Sequence, residues 1–420
     1  MAYLDSHIGR GVKPGLERIT GLLDMLARPD EGYPIVHIAG TNGKTTTSRM
    51  IASLISAHGL STGLFTSPHL DRVEQRFEVA GRTIAPAELA EAMALLAPIV
   101  DMYEERTGDG ITYFELITAL AFAWFAERSV DVGVIETGLG GRWDATNAAT
   151  SEVAVVTNID LEHTEYLGDT IIAIAAEKLA ILDTGADLVT GDMHSDALVV
   201  AEARAVEQAA RWFRFGSEYR PVDEAPSDHG WVFDMAGIHG EYTGIDLRLR
   251  GRHQVTNFAV AVAAVECLFN RALDEAAVRE TAALVVSPGR LEVLGREPWL
   301  LTDGAHNPAG MEALAAALRE EFAGVTWVAV FGAMRDKDVP AMFDALRGRV
   351  QAVHTAAADS PRAMPAGEAA ELAAAHLGVP ATPHGSVVEA LAAARHTGEH
   401  VLVTGSLYVV GEARAALGVG

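Results

Sequence analysis

Ile35-Val36-His37-Ile38-Ala39-Gly40-Thr41-Asn42-Gly43-Lys44-Thr45-Thr46-Thr47 is an apolar run that enters a glycine-bounded loop and leaves it as a helical pattern. Loops of this kind bind phosphate: glycines let backbone N–H groups close on it, a lysine reaches the outer phosphates and a hydroxyl meets Mg²⁺. Gly40, Thr41, Asn42 and Gly43 supply the cradle, Lys44 the cation, and Thr45 and Thr46 the hydroxyls. The general pattern wants a glycine five residues before Gly43. Ile38 stands there, so this is the shorter Gly-Thr-Asn-Gly-Lys-Thr form. The ordinary alternative is a plain glycine turn between strand and helix.

Outward from this stretch, strand and helix patterns alternate. Apolar runs at 63–65, 131–136 and 153–156 read as strands, and 44–58, 86–105, 112–128 and 170–182 as helices. Residues 76–84 read as a small hairpin turning at Ala80-Gly81, and 213–250 as antiparallel strands at the sheet edge. Ser287-Pro288-Gly289-Arg290 looks like a domain junction. After it the alternation restarts, with strands at 299–302, 325–331, 352–355 and 400–404. The expected fold is α/β. Residues 1–285 form a P-loop ATPase-like domain, with a mostly parallel sheet and a small antiparallel edge sheet. Residues 286–420 form a smaller Rossmann-like domain. In such sheets, functional groups gather at the carboxyl ends of the strands.

Composition narrows the function. The chain has 420 residues, 49% of them hydrophobic and 21% charged, enough for two or three domains with large cores. A formal net charge of -25 argues against nucleic acid as a partner, and anionic substrates would need a local basic pocket. The lone cysteine, Cys267, allows no intrachain disulfide and fits a cytoplasmic setting. The first ten residues lack a signal-peptide core, and no apolar run is long enough to span a bilayer.

Several polar groups fall at expected strand ends. Thr45, Ser67 and Glu136 could supply the oxygen ligands that Mg²⁺ prefers. Glu136 could equally cap the next turn. His163 taken alone is as readily a structural imidazole, and Lys178 reads first as a helix-surface lysine paired with an acid. A protonated lysine cannot ligate a cation, whereas a lysine carbamate could. Asp303 and His306 are open to three readings: an acid/base pair, a nucleotide contact or loop caps. Asn257 could cap its helix or read a base.

Eight segments together resemble the Mur-ligase superfamily of ATP-dependent amide ligases. They are residues 37–45, 66–70, 136–147, 162–168, 177–178, 253–254 with Asn257, 288–292, and 303–308. Thr66-Ser67-Pro68-His69-Leu70 and Gly140-Gly141-Arg142-Trp143-Asp144-Ala145-Thr146-Asn147 point more closely to its folate branch. That branch comprises folylpolyglutamate synthase and the bifunctional dihydrofolate synthase/folylpolyglutamate synthase. Two motifs depart from the family: Gly-Lys-Thr-Thr replaces Gly-Lys-Gly-Ser, and Glu-Lys-Leu-Ala-Ile replaces Glu-Lys-Ala-Gly-Ile.

The resemblance implies roles. Residues 40–46 would hold ATP, with Asn257, Arg290 and Asp303 as further nucleotide contacts. Thr45, Ser67 and Glu136 would surround one Mg²⁺, and His163 with a carbamylated Lys178 would serve a second; K⁺ is a further cation of the family. Lys44, Lys178, Asp303 and His306 would be the catalytic groups. Ser67, Pro68, His69, Phe114, Asp144 and Ala145 would meet the pterin substrate. The implied enzyme is a monomeric, cytoplasmic acid–amino-acid ligase adding L-glutamate to dihydropteroate or folate through an acyl phosphate. Two rivals are a Mur-type ligase with a cell-wall or peptide-like acceptor, and a nucleotide-driven switch that forms no amide.

Overall fold

The computed structural model describes residues 2–419. The first sheet has eight strands: β1 (Ile35–Ala39), β2 (Thr62–Phe65), β3 (Phe77–Val79), β4 (Arg82–Thr83), β5 (Val132–Glu136), β6 (Val153–Val156), β7 (Asp187–Thr190) and β8 (Trp212–Arg214). Their order is β4-β3-β2-β5-β1-β6-β7-β8. Pairing is parallel from β2 to β8 and antiparallel at the β2–β3 and β3–β4 edge. β1 lies in the middle, flanked by β5 and β6, and all five of its residues are buried. That explains its unbroken apolar run, since parallel strands are covered on both faces.

The strands expected over 213–250 divide between two sheets. β8 completes the parallel sheet, whereas β9 (Arg220–Pro226), β10 (Trp231–Ala236) and β11 (Glu241–Leu247) form an antiparallel sheet of their own. Alternation in β10 is strict: Trp231, Phe233 and Met235 point inward. They share one core with helices Lys44–Ala57 and Arg252–Phe269. Helix Arg252–Phe269 is buried over most of its length, so it is apolar on every side and carries little amphipathic pattern. The sequence reading passed over β7 and helix Ser195–Glu207, whose short apolar runs sit among alanines and acidic residues.

The third sheet begins at Glu292. It contains β12 (Glu292–Arg296), β13 (Trp299–Thr302), β14 (Trp327–Phe331), β15 (Val350–Thr355), β16 (Ala381–Pro383) and β17 (His400–Thr404), in the order β12-β13-β17-β14-β15-β16. All pairs are parallel except β12–β13. Its core is built separately from those of the first sheet. Among the described residues, no helix is long and apolar enough to cross a membrane.

Candidate active site

The phosphate loop leaves the carboxyl end of β1 and is tied to the end of β6. Thr41 N–H donates to the Asn158 carbonyl at 3.0 Å, Asn42 N–H donates to Asn158 Oδ1 at 2.8 Å, and the Thr157 hydroxyl donates to the Asn42 carbonyl at 2.6 Å. Two glycines are obligatory here. Gly40 has φ +148° and a Cβ on it would lie 2.0 Å from Thr157 Oγ1. Gly43 has φ +82° and its Cβ would lie 2.6 Å from Asn257 Oδ1. Lys44 Nζ arches over the loop to the carbonyls of Gly40 (2.8 Å) and Thr41 (3.1 Å).

Beside the loop, the buried Glu136 carboxylate ends β5. One oxygen accepts from the Thr45 hydroxyl at 2.9 Å and the other from Ser67 N–H at 3.1 Å. Burial raises its pKa, and Lys44, the Ser67 N–H, the Thr45 hydroxyl and Arg290 pull it back. Thr45, Ser67 and Glu136 therefore meet, as the sequence suggested. The set is all oxygen and fits a hard cation completed by phosphate oxygens and water. Among the described residues, no three His, Cys, Asp or Glu side chains form a metal cage.

Lys178 is not a surface lysine. Its side chain is 2% exposed, and Nζ donates to the Gly40 carbonyl at 2.8 Å and to Glu162 at 2.6 Å. Burial lowers its pKa to about 8 against the pull of Glu162. Burial would raise Glu162, but Lys178 and Lys44 outweigh it and hold that carboxyl at about 2. The pair is thus ionised at neutral pH. As an ammonium, Lys178 does not fit a metal; it would fit as a carbamate. His163 sits close by in a left-handed conformation (φ 45°), and burial and Lys337 lower its pKa to about 4.

The third sheet supplies the opposite wall. Asp303 follows β13, and its two oxygens accept from Leu291 N–H and Ala305 N–H, each at 2.8 Å. In this geometry Asp303 clasps the Arg290–Leu291 turn. Burial raises its pKa and Arg290 opposes the rise. Arg290 makes no ion pair among the described residues, and it acts on both Glu136 and Asp303. His306 Nδ1–H donates to the Gly304 carbonyl at 2.8 Å, which leaves Nε2 as a free acceptor. Burial lowers its pKa to about 4, so the ring is neutral at pH 7. Asn307 and Asn42 exchange amide hydrogen bonds of 3.2 and 3.5 Å across the gap between the sheets.

A cleft of about 1080 Å³ opens beside these groups. Ser67, Pro68, Phe114, Asp144, Ala145 and His163 line it; His69 does not. Instead, His69 Nδ1 accepts from Arg76 Nε at 2.9 Å, and burial with Arg76 lowers its pKa to about 4. Both Asp144 oxygens are engaged, one by the N–H groups of Gly138 and Leu139 and the other by Thr146. Asp144 accordingly shapes the glycine-rich loop. Thr46 bonds Ser287 at 2.8 Å, and Asn257 donates to Gln254 at 2.8 Å, facing the loop glycine.

Sequence reasoning missed the cleft's cations. Arg76 is 8% exposed, lines the cleft and makes no ion pair among the described residues. Arg335, Lys337 and Arg362 line the opposite side. Carboxylates line the cleft too, among them Asp336, which pairs with Lys337 and Arg362, so the basic character expected for anionic substrates is confined to Arg76 and Arg335. A single arginine carries no spacing signal, so Arg76 was not legible.

Phosphate loop, buried carboxylate and facing α/β domain define the class of Mur ligases. Residues 38–265 match the Mur ligase middle domain and residues 289–407 the Mur ligase, glutamate ligase domain. The chain belongs to the folylpolyglutamate synthase/dihydrofolate synthase family. It is 39% identical over 370 residues to dihydrofolate synthase/folylpolyglutamate synthase of Mycobacterium tuberculosis, covering 84% of this chain and 76% of that one. With folylpolyglutamate synthase of Lacticaseibacillus casei it shares 34% identity over 426 residues, covering 99% and 97%. The structure of Mycobacterium tuberculosis folylpolyglutamate synthase complexed with ADP and AMPPCP superposes with a TM-score of 0.95 at 36% identity, covering 99% and 97%.

Proposed function

We infer that this chain is an ATP-dependent ligase that joins L-glutamate to the carboxylate of dihydropteroate, of a folate, or of both. The single observation that carries the reading is that Glu136 ties the phosphate loop, through Thr45, to Ser67, which lines the cleft holding the buried Arg76. Relatives solved with AMPPCP and with AMPPCP and folate together support the nucleotide and acceptor classes.

In this reading residues 1–285 bind the nucleotide and residues 286–420 close over it. Gly40 to Thr46 cradle ATP, Lys44 offsets charge on the transferred phosphoryl group, and Asn257, Arg290 and Asp303 bound the nucleotide. The acceptor carboxylate, drawn in by Arg76, attacks the γ-phosphate; ADP leaves and an acyl phosphate remains. The glutamate amine then attacks the acyl carbon, expelling inorganic phosphate and releasing a proton. His306 Nε2 would accept a hydrogen bond from that amine, and its low pKa favours orienting the amine over storing its proton. Phe114, Pro68, Asp144 and Ala145 would shape the pterin subsite.

Mg²⁺ held by Thr45, Ser67 and Glu136 would supply charge neutralisation for the phosphates. A carbamate on Lys178 would meet Glu162 as a like charge, and a second cation with His163 would offset that repulsion. K⁺, a monomeric state and a cytoplasmic location complete the proposal. The test is ADP release with ATP, Mg²⁺, glutamate and either dihydropteroate or tetrahydrofolate. Glutamate-dependent release with either acceptor supports the reading; release with neither overturns it.

A further inference from the structure

Glu321 ends helix Pro308–Glu321, far along the chain from the phosphate loop, yet its side chain is 1% exposed. All three of its hydrogen bonds come from the first domain. Trp231 Nε1 donates at 2.9 Å, Arg250 Nη1 at 3.0 Å, and Gly251 N–H completes the set. Arg250, 8% exposed, lies over the rings of Trp299 and Phe322 at 5.9 and 5.1 Å, and so is gripped by charge and by aromatic faces.

Gly251 is the residue from which helix Arg252–Phe269 starts, and Asn257 on that helix abuts Gly43 of the phosphate loop. The other end of helix Pro308–Glu321 begins at Asn307, which pairs with Asn42 of the same loop. That helix, about 21 Å long, therefore touches the phosphate loop at one end directly and at the other through Gly251. The two attachments differ in kind. Asn42–Asn307 is a pair of neutral amides at 3.2 and 3.5 Å, whereas Glu321 is a buried charge holding three donors. Buried charges missing a partner are costly, so the second attachment resists opening.

We propose that Glu321 is a positioning residue for the nucleotide site: it fixes the start of helix Arg252–Phe269 and so holds Asn257 against the phosphate loop. It rests on the nucleotide reading above. The test compares stability with affinity for the ATP analogue AMPPCP in the full chain. Glu321→Leu leaves Arg250 unpaired in a buried site and lowers the melting temperature. The double change Glu321→Leu/Arg250→Met removes both charges and returns much of that stability. It leaves Gly251 N–H and Trp231 without their acceptor, so AMPPCP binding stays weaker by about fivefold to tenfold. Return of affinity together with stability would reduce Glu321 to a structural role and overturn the proposal. Should the double variant not fold, the single Glu321→Leu variant, assayed below its melting temperature, carries the same comparison, with unchanged AMPPCP affinity as the overturning result. Failure of the unaltered chain to bind AMPPCP would instead strike the nucleotide reading.

Discussion

The two walls of the site are built differently. The first is the phosphate loop, whose backbone is bonded to neighbouring strand ends at every turn and whose glycines admit no side chain. The second, carried by Asp303, His306 and Asn307, meets that loop through one pair of amides. A wall locked into its own sheet is preorganised, while the second wall meets the loop through two neutral hydrogen bonds and is anchored away from it by Glu321. Transfer chemistry that must admit three substrates and then exclude water suits such an asymmetry.

The largest test of that contrast is Lys44→Ala. Loss of the loop's charge should lower ADP release by about a thousandfold or more, and near-normal turnover would remove the loop from phosphate chemistry. Lys178→Ala comes next, with an expected loss of about a hundredfold. Short carboxylates should restore part of the rate if a carbamate acts there, and full unrescued activity would take Lys178 out of the mechanism. Gly43→Ala probes rigidity: a left-handed φ costs about 1–2 kcal/mol, and the contact with Asn257 adds to it. Adding Asn257→Ala should return the contact's share in a denaturation experiment; no recovery would mean that the clash is relieved elsewhere.

Acid should loosen both walls. Burial lowers His37 to about 3, and holds His253 and His306 near 4. Below pH 6.5 the unfolded chain takes up protons that these rings refuse, so stability is full above 6.5 and falls as pH drops toward 4. His37 contributes at most about 1.4 kcal/mol per pH unit. A His37→Gln variant should show a shallower fall of melting temperature between pH 7 and 5; an identical slope would contradict the burial argument. The smallest effect is expected from Asn42→Ala, a few-fold rise in KM with little change in stability, since a neutral hydrogen bond is worth about 1 kcal/mol. A large loss would mean that the second wall is held more tightly at the cleft than its geometry indicates.

Much of this was legible in advance. β1, β6, β13 and β17 fall where their apolar runs predict them, and Thr45, Ser67 and Glu136 come together at adjacent strand ends. The separate β9–β11 sheet was not distinguishable from an edge of the main one, because alternation reports a half-buried strand and not which sheet it joins. His69 was expected at the substrate and instead supports Arg76. Lys178 read as a surface lysine until the family resemblance, and its burial against Glu162 is a tertiary fact.

By itself the sequence determined the phosphate loop, the alternation of strands and helices, the order of the motifs and the family they resemble. Each of these is a demand met within a few residues: a glycine where φ is positive, a hydroxyl after the lysine, an apolar run where both faces are covered. Tertiary structure alone decided which distant groups share a field. Asn42 meets Asn307 across 265 positions, Lys178 meets Gly40 across 138, and Glu321 takes its partners from a domain it does not belong to. Those contacts depend on how separate cores pack, and packing leaves no local period for a sequence to display.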